Sequence, residues 1–547
     1  MGVPGFFLRL IKRHKNFYSN KINKKLDALL LDTNCLLHPQ CFKILAENKN
    51  TNNYERLEQK MINQCIIYLQ YIIDFVDPQK VIYIAIDGVA PVAKIKQQRM
   101  RRFKSVKTRK LFDSIKKKHN KPIETFWNNS AITPGTEFMT KITNAMIKFC
   151  KENKSDRKII FSSANTPGEG EHKLLQYIKD CKEDYKWAIY GLDADLIFLS
   201  LSVDNKDIYL VRENNQLNKS DSEELQYVSI DKLKNCILEE ISFLVDDINE
   251  LETKKVIRDF VFICYFLGND FLPHIPSIDI KSYKENINGL DLLLQGWANT
   301  YESLKDYIMK EENGEIIYNT EFLQMFLEYL SQFENEFFTN MYGHKSFYFK
   351  CGSTDPYDRE MHKIDNLQFK IHNDIELGKD NPDEWKFRYY QKYYFCELNQ
   401  KEMIQYACYK YLEGLKWVAN YYFKKCCSWD WYYPYDHAPF ISDMSIYFKK
   451  YNVNEIKFEI GEPLNPVEQL LCVLPPQSAY LVPKEYRWLM KTPRSPIADL
   501  YPKDYELDML YKRKYWQCIP ILPDLEIKRV KRCVKYKEKK NEKVYEF

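Results

Sequence analysis

Four short apolar runs punctuate the first 285 residues: ALLL (28–31), VIYIAI (81–86), KIIFSS (158–163) and KWAIYG (186–191). Each is followed by a polar turn and then a helical pattern. That alternation predicts a mostly parallel, doubly wound α/β sheet. Ligands of such sheets collect beyond the C-terminal ends of the strands. Those ends are acidic here. The first run ends at Asp32 in LLLDTN and the second at Asp87 in IAIDG. The fourth runs into Asp193 and Asp195 in GLDAD. The third leads through SSANTPGEGEH, whose Glu169 and Glu171 open the next helix, and Asp270 follows in FLGNDFLP.

A single Asp at a strand end is ordinarily the N-cap of the next helix. Seven of them converging on one region need another account, because carboxylates in a low-dielectric cleft repel one another strongly. Either several take up protons or cations neutralise them. Hard oxygen donors select Mg²⁺ or Mn²⁺. Two divalent ions against seven carboxylates is the equipment for two-metal phosphodiester hydrolysis. The ExE and DxD spacings agree, because residues two apart meet one site only in a turn or at a helix start.

Directly after Asp87 comes GVAPVAKIKQQRMRRFKSVKTRK, with thirteen Lys/Arg and one Asp between Lys94 and Lys121. Pro91 suits a first helical turn. Lys94, Gln98, Arg101 and Arg102 stand at i, i+4, i+7 and i+8, which places them within about 100° of one helix face. Three cations and an amide on one stripe beside an acidic centre suit a terminal phosphate. They also draw in a polyanion that the carboxylates would otherwise repel.

The chain divides into an α/β core (1–285), a helical connecting segment (286–395), a second dense block (396–527) and a basic tail (528–547) expected to fray. Residues 300–370 carry no strong motif. The longest apolar run, FVFICYFL, falls far short of the roughly 20 residues a membrane span needs, so no membrane partner is expected. The first residues place their charges after a short apolar run, the reverse of a signal peptide, and Phe6 stands where a myristoylation signal needs Ser or Thr. The 15 Cys contain no CxxC pair and read as reduced core thiols.

MGVPGFF, LLLDTNCLLH, IAIDGVAPVAKIKQQRMRRF, TPGEGEHK, IYGLDADLIFLSL and FLGNDFLPHIP resemble, in order, the first conserved region of XRN-type 5′→3′ exoribonucleases. LGKDNPDEWKFRYYQ, EGLKWVANYYFKKCCSWDWYYPYDHAP and LYPKDYELDMLYKRKYWQCIPILP resemble the second. The resemblance implies a nuclease core related to PIN and flap-endonuclease folds, walled in by a largely helical second region. It implies that all seven carboxylates hold metal, Mg²⁺ or Mn²⁺, as two ions. It implies that Lys94, Gln98, Arg101 and Arg102 form a pocket for a 5′-monophosphate. His38 matches a histidine that stacks on RNA bases together with a tryptophan of the second region, for which SWDW offers Trp429 and Trp431. The small β-rich accessory domains and the zinc knuckle of larger members are expected to be missing.

The expectation is therefore a processive, metal-dependent 5′→3′ exoribonuclease. It would act as a monomer on single-stranded RNA with a 5′-monophosphate, in the cytoplasm or alternatively the nucleus. A flap-type DNA nuclease on the same acidic platform and a non-enzymatic RNA-binding scaffold are the rival expectations.

Overall fold

Seven strands form one sheet in the order β1-β7-β6-β5-β2-β3-β4. They are β1 (Tyr18–Ser19), β2 (Ala28–Asp32), β3 (Val81–Ala85), β4 (Lys158–Ser162), β5 (Lys186–Tyr190), β6 (Asp207–Glu213) and β7 (Leu225–Ser229). The four predicted runs are the parallel strands β2 to β5, joined in parallel by β6, while at one edge β7 pairs antiparallel with both β6 and β1. The computed structural model describes residue 14 and residues 17–48, 53–123, 127–153, 156–204, 206–213, 224–279, 288–343, 351–367, 372–397 and 401–542. The opening motif MGVPGFF lies outside them.

Side chains alternate across the sheet, as the two-residue period of a strand requires. Leu29, Leu31, Ile82 and Ile84 pack under α1 (Thr33–Glu47) and α2 (Tyr54–Val76). Leu30, Ile189 and Leu210 face the opposite layer, which includes Leu174 and Leu175 of α4 (Gly170–Asp180). The chain leaves β2 toward β3 and β4, then returns to place β5 on the other side of β2. This reversal makes the crevice beside Asp32 the switch point of the sheet.

The second conserved block shares cores with the first. Leu415, Trp417, Val418 and Tyr421 of α5 (Lys401–Phe423) belong to the same apolar cluster as Leu30 and Ile189. The basic helix α3 (Val92–Lys118) is 27 residues, about 40 Å long. Its Ile95 and Phe103 pack against Leu470 and Leu471 of α6 (Pro466–Val473), a helix started by a capping box between Asn465 and Glu468. Arg99 is 2% exposed and serves this contact. Its guanidinium lies over the Phe103 ring, Nη1 donates to the Cys472 carbonyl at 3.1 Å, and Nη2 donates to the Leu500 carbonyl.

Two segments differ from expectation. The connecting segment holds a β-hairpin, Met309–Glu312 paired with Glu315–Tyr318. Its turn is Asn313-Gly314, both at positive φ, a pairing that favours tight hairpins. The described part of the tail expected to fray is helical as α7 (Ile527–Glu542), and Val530 and Val534 are fully buried against α6 and its neighbours. Their four-residue spacing gives an otherwise basic helix one apolar stripe. No helix among the described residues is long and apolar enough to cross a membrane.

Arg99 is predicted to be the pin that holds α3 to the second region. Arg99→Met leaves two buried carbonyls without their donor, so urea denaturation should show a loss of about 2–4 kcal/mol. Arg109→Met, a half-exposed change further along the same helix, should stay within about 0.5 kcal/mol. Equal losses would show that Arg99 does not dock α3.

Candidate active site

The seven acidic side chains meet at the switch point. Asp32 ends β2 and stands at the N-cap of α1, yet its carboxylate makes no capping hydrogen bond; Glu169 does the same at the start of α4. The bland role of a strand-end acid is therefore not the one these two play. Asp87 follows β3. Its Oδ1 accepts from the Gly170 amide at 2.6 Å and its Oδ2 from Asn34 Nδ2 at 2.7 Å. A Cβ on Gly170 would lie 2.8 Å from Asp32 Oδ1 and 3.3 Å from Asp87 Oδ1. Only glycine lets the Glu169-Gly170-Glu171 turn come this close to both aspartates. Gly88, the residue that follows Asp87, is needed for the same reason, because a Cβ there would strike the Thr166 carbonyl.

Electrostatics ties the remaining acids to this point. Burial, then the charges of Asp87 and Asp193, pushes Asp32 up to about 8. Burial, then Glu169, raises Asp87 to about 6, and burial with Asp270 raises Asp195 to about 6. Burial also lifts Glu171 well above the usual range, with Asp195 and Glu169 adding to it. Lys94 opposes this repulsion from inside. Its ammonium pairs with Glu169 at 2.5 Å and with Asp270 at 2.8 Å. Against the upward push of burial, it holds Asp270 below the ordinary value.

The donor set fits a divalent cation. Asp32 Oδ1 is buried without a hydrogen-bond partner. Glu169, Glu171 and His172 offer ligand atoms all within 4.8 Å of one another. Apart from His172, the donors are carboxylate oxygens, the chemistry of a hard ion.

The basic stripe divides in two. Lys94 belongs to the acidic cluster, while Arg101 and Arg102 lie beside His38. Burial, then these two guanidinium groups, pulls the His38 imidazole down to about 4, so it is neutral at pH 7. Gln98 Oε1 and Arg102 Nη1 are buried with no hydrogen-bond partner. Burial, then the Arg101 charge, lowers Arg102 to about 9, the mark of cations gathered without an anion among them. The two tryptophans also separate. Trp431 is 9% exposed, stacks on Trp417 at 5.0 Å and donates Nε1 to Glu413 at 2.8 Å. Trp429 is half-buried, and its carbonyl accepts from the Val92 amide at the start of α3.

Several residues around the cluster did not stand out from sequence. Asn34 and Cys35, within DTNC, hold Asp87 and Asp32 respectively; Cys35 Sγ donates to Asp32 Oδ2 at 3.0 Å. Their signal was adjacency to Asp32. Tyr421 donates its hydroxyl to Glu169 Oε1 at 2.8 Å from 252 residues away. Its ring lies between His172 at 3.6 Å and Trp417 at 4.8 Å. No local pattern marks that contact.

The profile described as "XRN 5'-3' exonuclease N-terminus" matches residues 1–214, and that described as "Xrn1 helical domain" matches residues 250–348 and 350–543. The chain is 29% identical to 5'-3' exoribonuclease 2 of Arabidopsis thaliana, over 97% of its own length and 66% of the relative's. It is 30% identical to 5'-3' exoribonuclease 1 of Homo sapiens, over 97% of its own length and 34% of the relative's. With 5'-3' exoribonuclease 1 of Saccharomyces cerevisiae the identity is 27%, over 97% and 43%. The chain thus spans between a third and two thirds of each of these proteins.

The raised carboxylates set a pH dependence. An unfolded Asp ionises near 3.8 and the folded Asp32 near 8. Between those values the folded state keeps a proton that the unfolded state has lost, so rising pH withdraws stability. In chelator, the melting temperature should fall between about pH 5 and pH 8, and Asp32→Asn should flatten the fall. Saturating Mg²⁺ or Mn²⁺ should flatten it too. A wild-type and an Asp32→Asn profile that run parallel in chelator would refute the assignment.

Proposed function

The chain belongs to the XRN 5′-3′ exonuclease family, and on that premise we propose that it degrades RNA processively from the 5′ end. The proposed substrate is single-stranded RNA bearing a 5′-monophosphate, the products are mononucleotides, and the active species is a monomer. One observation carries the reading. Helix α3 carries Lys94, paired with Glu169 and Asp270 of the carboxylate cluster, and further along it Gln98 and Arg102, whose Oε1 and Nη1 are buried with no protein partner. In this reading, hydrolytic and end-binding groups would share helix α3.

Every group has a role in this reading. Asp32, Asp87, Glu169, Glu171, Asp193, Asp195 and Asp270 would hold two Mg²⁺ or Mn²⁺ ions. When bound, such ions supply activation of water and stabilisation of the leaving oxygen. Lys94 screens the carboxylates and orients Glu169 and Asp270. Arg101 and Arg102 clamp the terminal phosphate through charge-assisted hydrogen bonds, with Gln98 beside them. His38, neutral and half-buried, and Trp429, not the core residue Trp431, stack on bases. Stacking accepts any base, at about 1–3 kcal/mol each. That is enough to favour the advanced register after each cut and weak enough to release.

A degradation assay with matched 5′-monophosphate, triphosphate and hydroxyl RNAs, and a blocked-end DNA flap, tests the whole reading. Monophosphate RNA should be consumed fastest, and preferential cleavage of the flap would reject RNA as the substrate. Asp193→Ala or Asp195→Ala should lower hydrolysis at least roughly 10³-fold while RNA binding largely survives. Arg101→Ala should cost about 1.5–3 kcal/mol on monophosphate RNA and little on hydroxyl RNA.

The stacking pair generates a separate expectation. His38→Ala and Trp429→Ala should keep the wild-type melting temperature yet shorten runs on long RNA and stall at stable hairpins. Trp431→Ala should instead lose about 3–5 kcal/mol of stability. Normal run length in both of the first two variants would remove the stacking role.

A further inference from the structure

A second concave site lies behind the carboxylates. Helix α4 begins at the acidic cluster, and its far end, about 15 Å away, lines a cavity of about 850 Å³ with Gln176 and Lys179. The other walls are the Met309–Tyr318 hairpin, the end of α5 and residues 454–460. That volume lies in the range of small-molecule sites, about 300–1,000 Å³.

Positive charge dominates the lining, with eight Lys or Arg side chains against three carboxylates. Two of the carboxylates are already engaged. Arg258 bridges Asp204 and Glu311 at 2.6 Å each, and Lys424 shares Glu311. Lys310 is answered from outside the cavity by Asp306. Backbone carbonyls answer others. Lys179 donates to the Tyr422 oxygen, Lys206 to Cys181 and Glu183, and Lys416 to Val453, Asn454 and Ile456. A carbonyl satisfies an N–H but carries no net charge. Among the described residues no carboxylate touches these three ammonium groups, although Glu315 acts on Lys416, and Asp180 and Asp204 act on Lys179, from further off. Burial, then the neighbouring Lys424, pulls Lys179 down to about 8, against the weaker opposing charges of Asp180 and Asp204. Lys425 and Lys457 stand exposed at the rim, with no acidic partner among the described residues. Phe423 and Phe458 add an apolar wall.

We infer that this cavity binds a phosphorylated small molecule of nucleotide size, its phosphate toward the lysines and its ring against the phenylalanines. The nucleotide-sized volume and the paired apolar wall favour such a ligand over a passing RNA strand. The groups assigned above to RNA, His38, Arg101, Arg102 and Trp429, do not line it. The inference does not rest on the nuclease reading.

The test uses the full chain in chelator, in an Arg101→Ala background that disables the other phosphate pocket. Calorimetric titration with AMP should give a dissociation constant below about 1 mM. Adenosine and inorganic phosphate should each bind at least tenfold more weakly. Adding Lys425→Glu and Lys457→Glu, both at exposed positions, should weaken AMP at least tenfold with the melting temperature unchanged. Absence of AMP binding in the Arg101→Ala background would overturn the inference. So would AMP binding indifferent to the two rim substitutions, or inorganic phosphate binding as tightly as AMP. A 5′-hydroxyl oligoribonucleotide that displaces AMP from the cavity would overturn it in favour of an RNA path.

Discussion

Repulsion among seven carboxylates is the constraint around which this molecule is arranged. No arrangement of strands removes it; the fold only decides what opposes it. Inside the described residues the answer is mainly Lys94, which pairs with Glu169 and Asp270 while α3 leaves the cluster. Lys173 adds a weaker opposing charge at Asp87. Protons take up some of what remains, at Asp32 most of all. The same imbalance that strains the cluster makes it a place for cations.

Holding the acids together requires close approach rather than strong bonding. Gly170 and Gly88 allow two loops to pass where any side chain would collide. The second conserved region then closes the periphery. Tyr421 reaches Glu169, the Trp429 carbonyl receives the first amide of α3, and Arg99 fastens the middle of α3 to the carbonyls of Cys472 and Leu500. The nuclease core and the helical region are therefore built as one around α3, sharing apolar clusters and not merely a surface.

Strand-end acids were legible because position in a doubly wound sheet follows from short apolar runs, and the sheet then brings their ends together. β6 and β7 were harder to see. They bury Arg212, Glu213 and Gln226, and Glu213 Oε1 accepts from the hydroxyls of Tyr68 and Tyr190, 145 and 23 residues away. The stripe on α3 showed which face is basic but not that Lys94 turns into the carboxylates while Arg101 and Arg102 gather at His38. SWDW presented two equivalent indoles. Their difference depends on Glu413, which accepts from one of them across 18 residues. The hairpin at Asn313-Gly314 and the Val530/Val534 stripe carried local signals that the surrounding polar composition masked.

The Tyr421–Glu169 bond joins residues 252 positions apart. A ribosome adds roughly 5–20 residues per second, so about 10–50 s separate the synthesis of the two ends of that bond. When this interval opens, Asp32 and Asp87 already exist, and Asp193 and Asp195 follow within its first part, while the residues that wall them in do not yet exist. The finished pocket is thus assembled late, by a stretch of chain that emerges after the parallel sheet. A nascent protein of this design reaches its working geometry only after the second conserved block has been made.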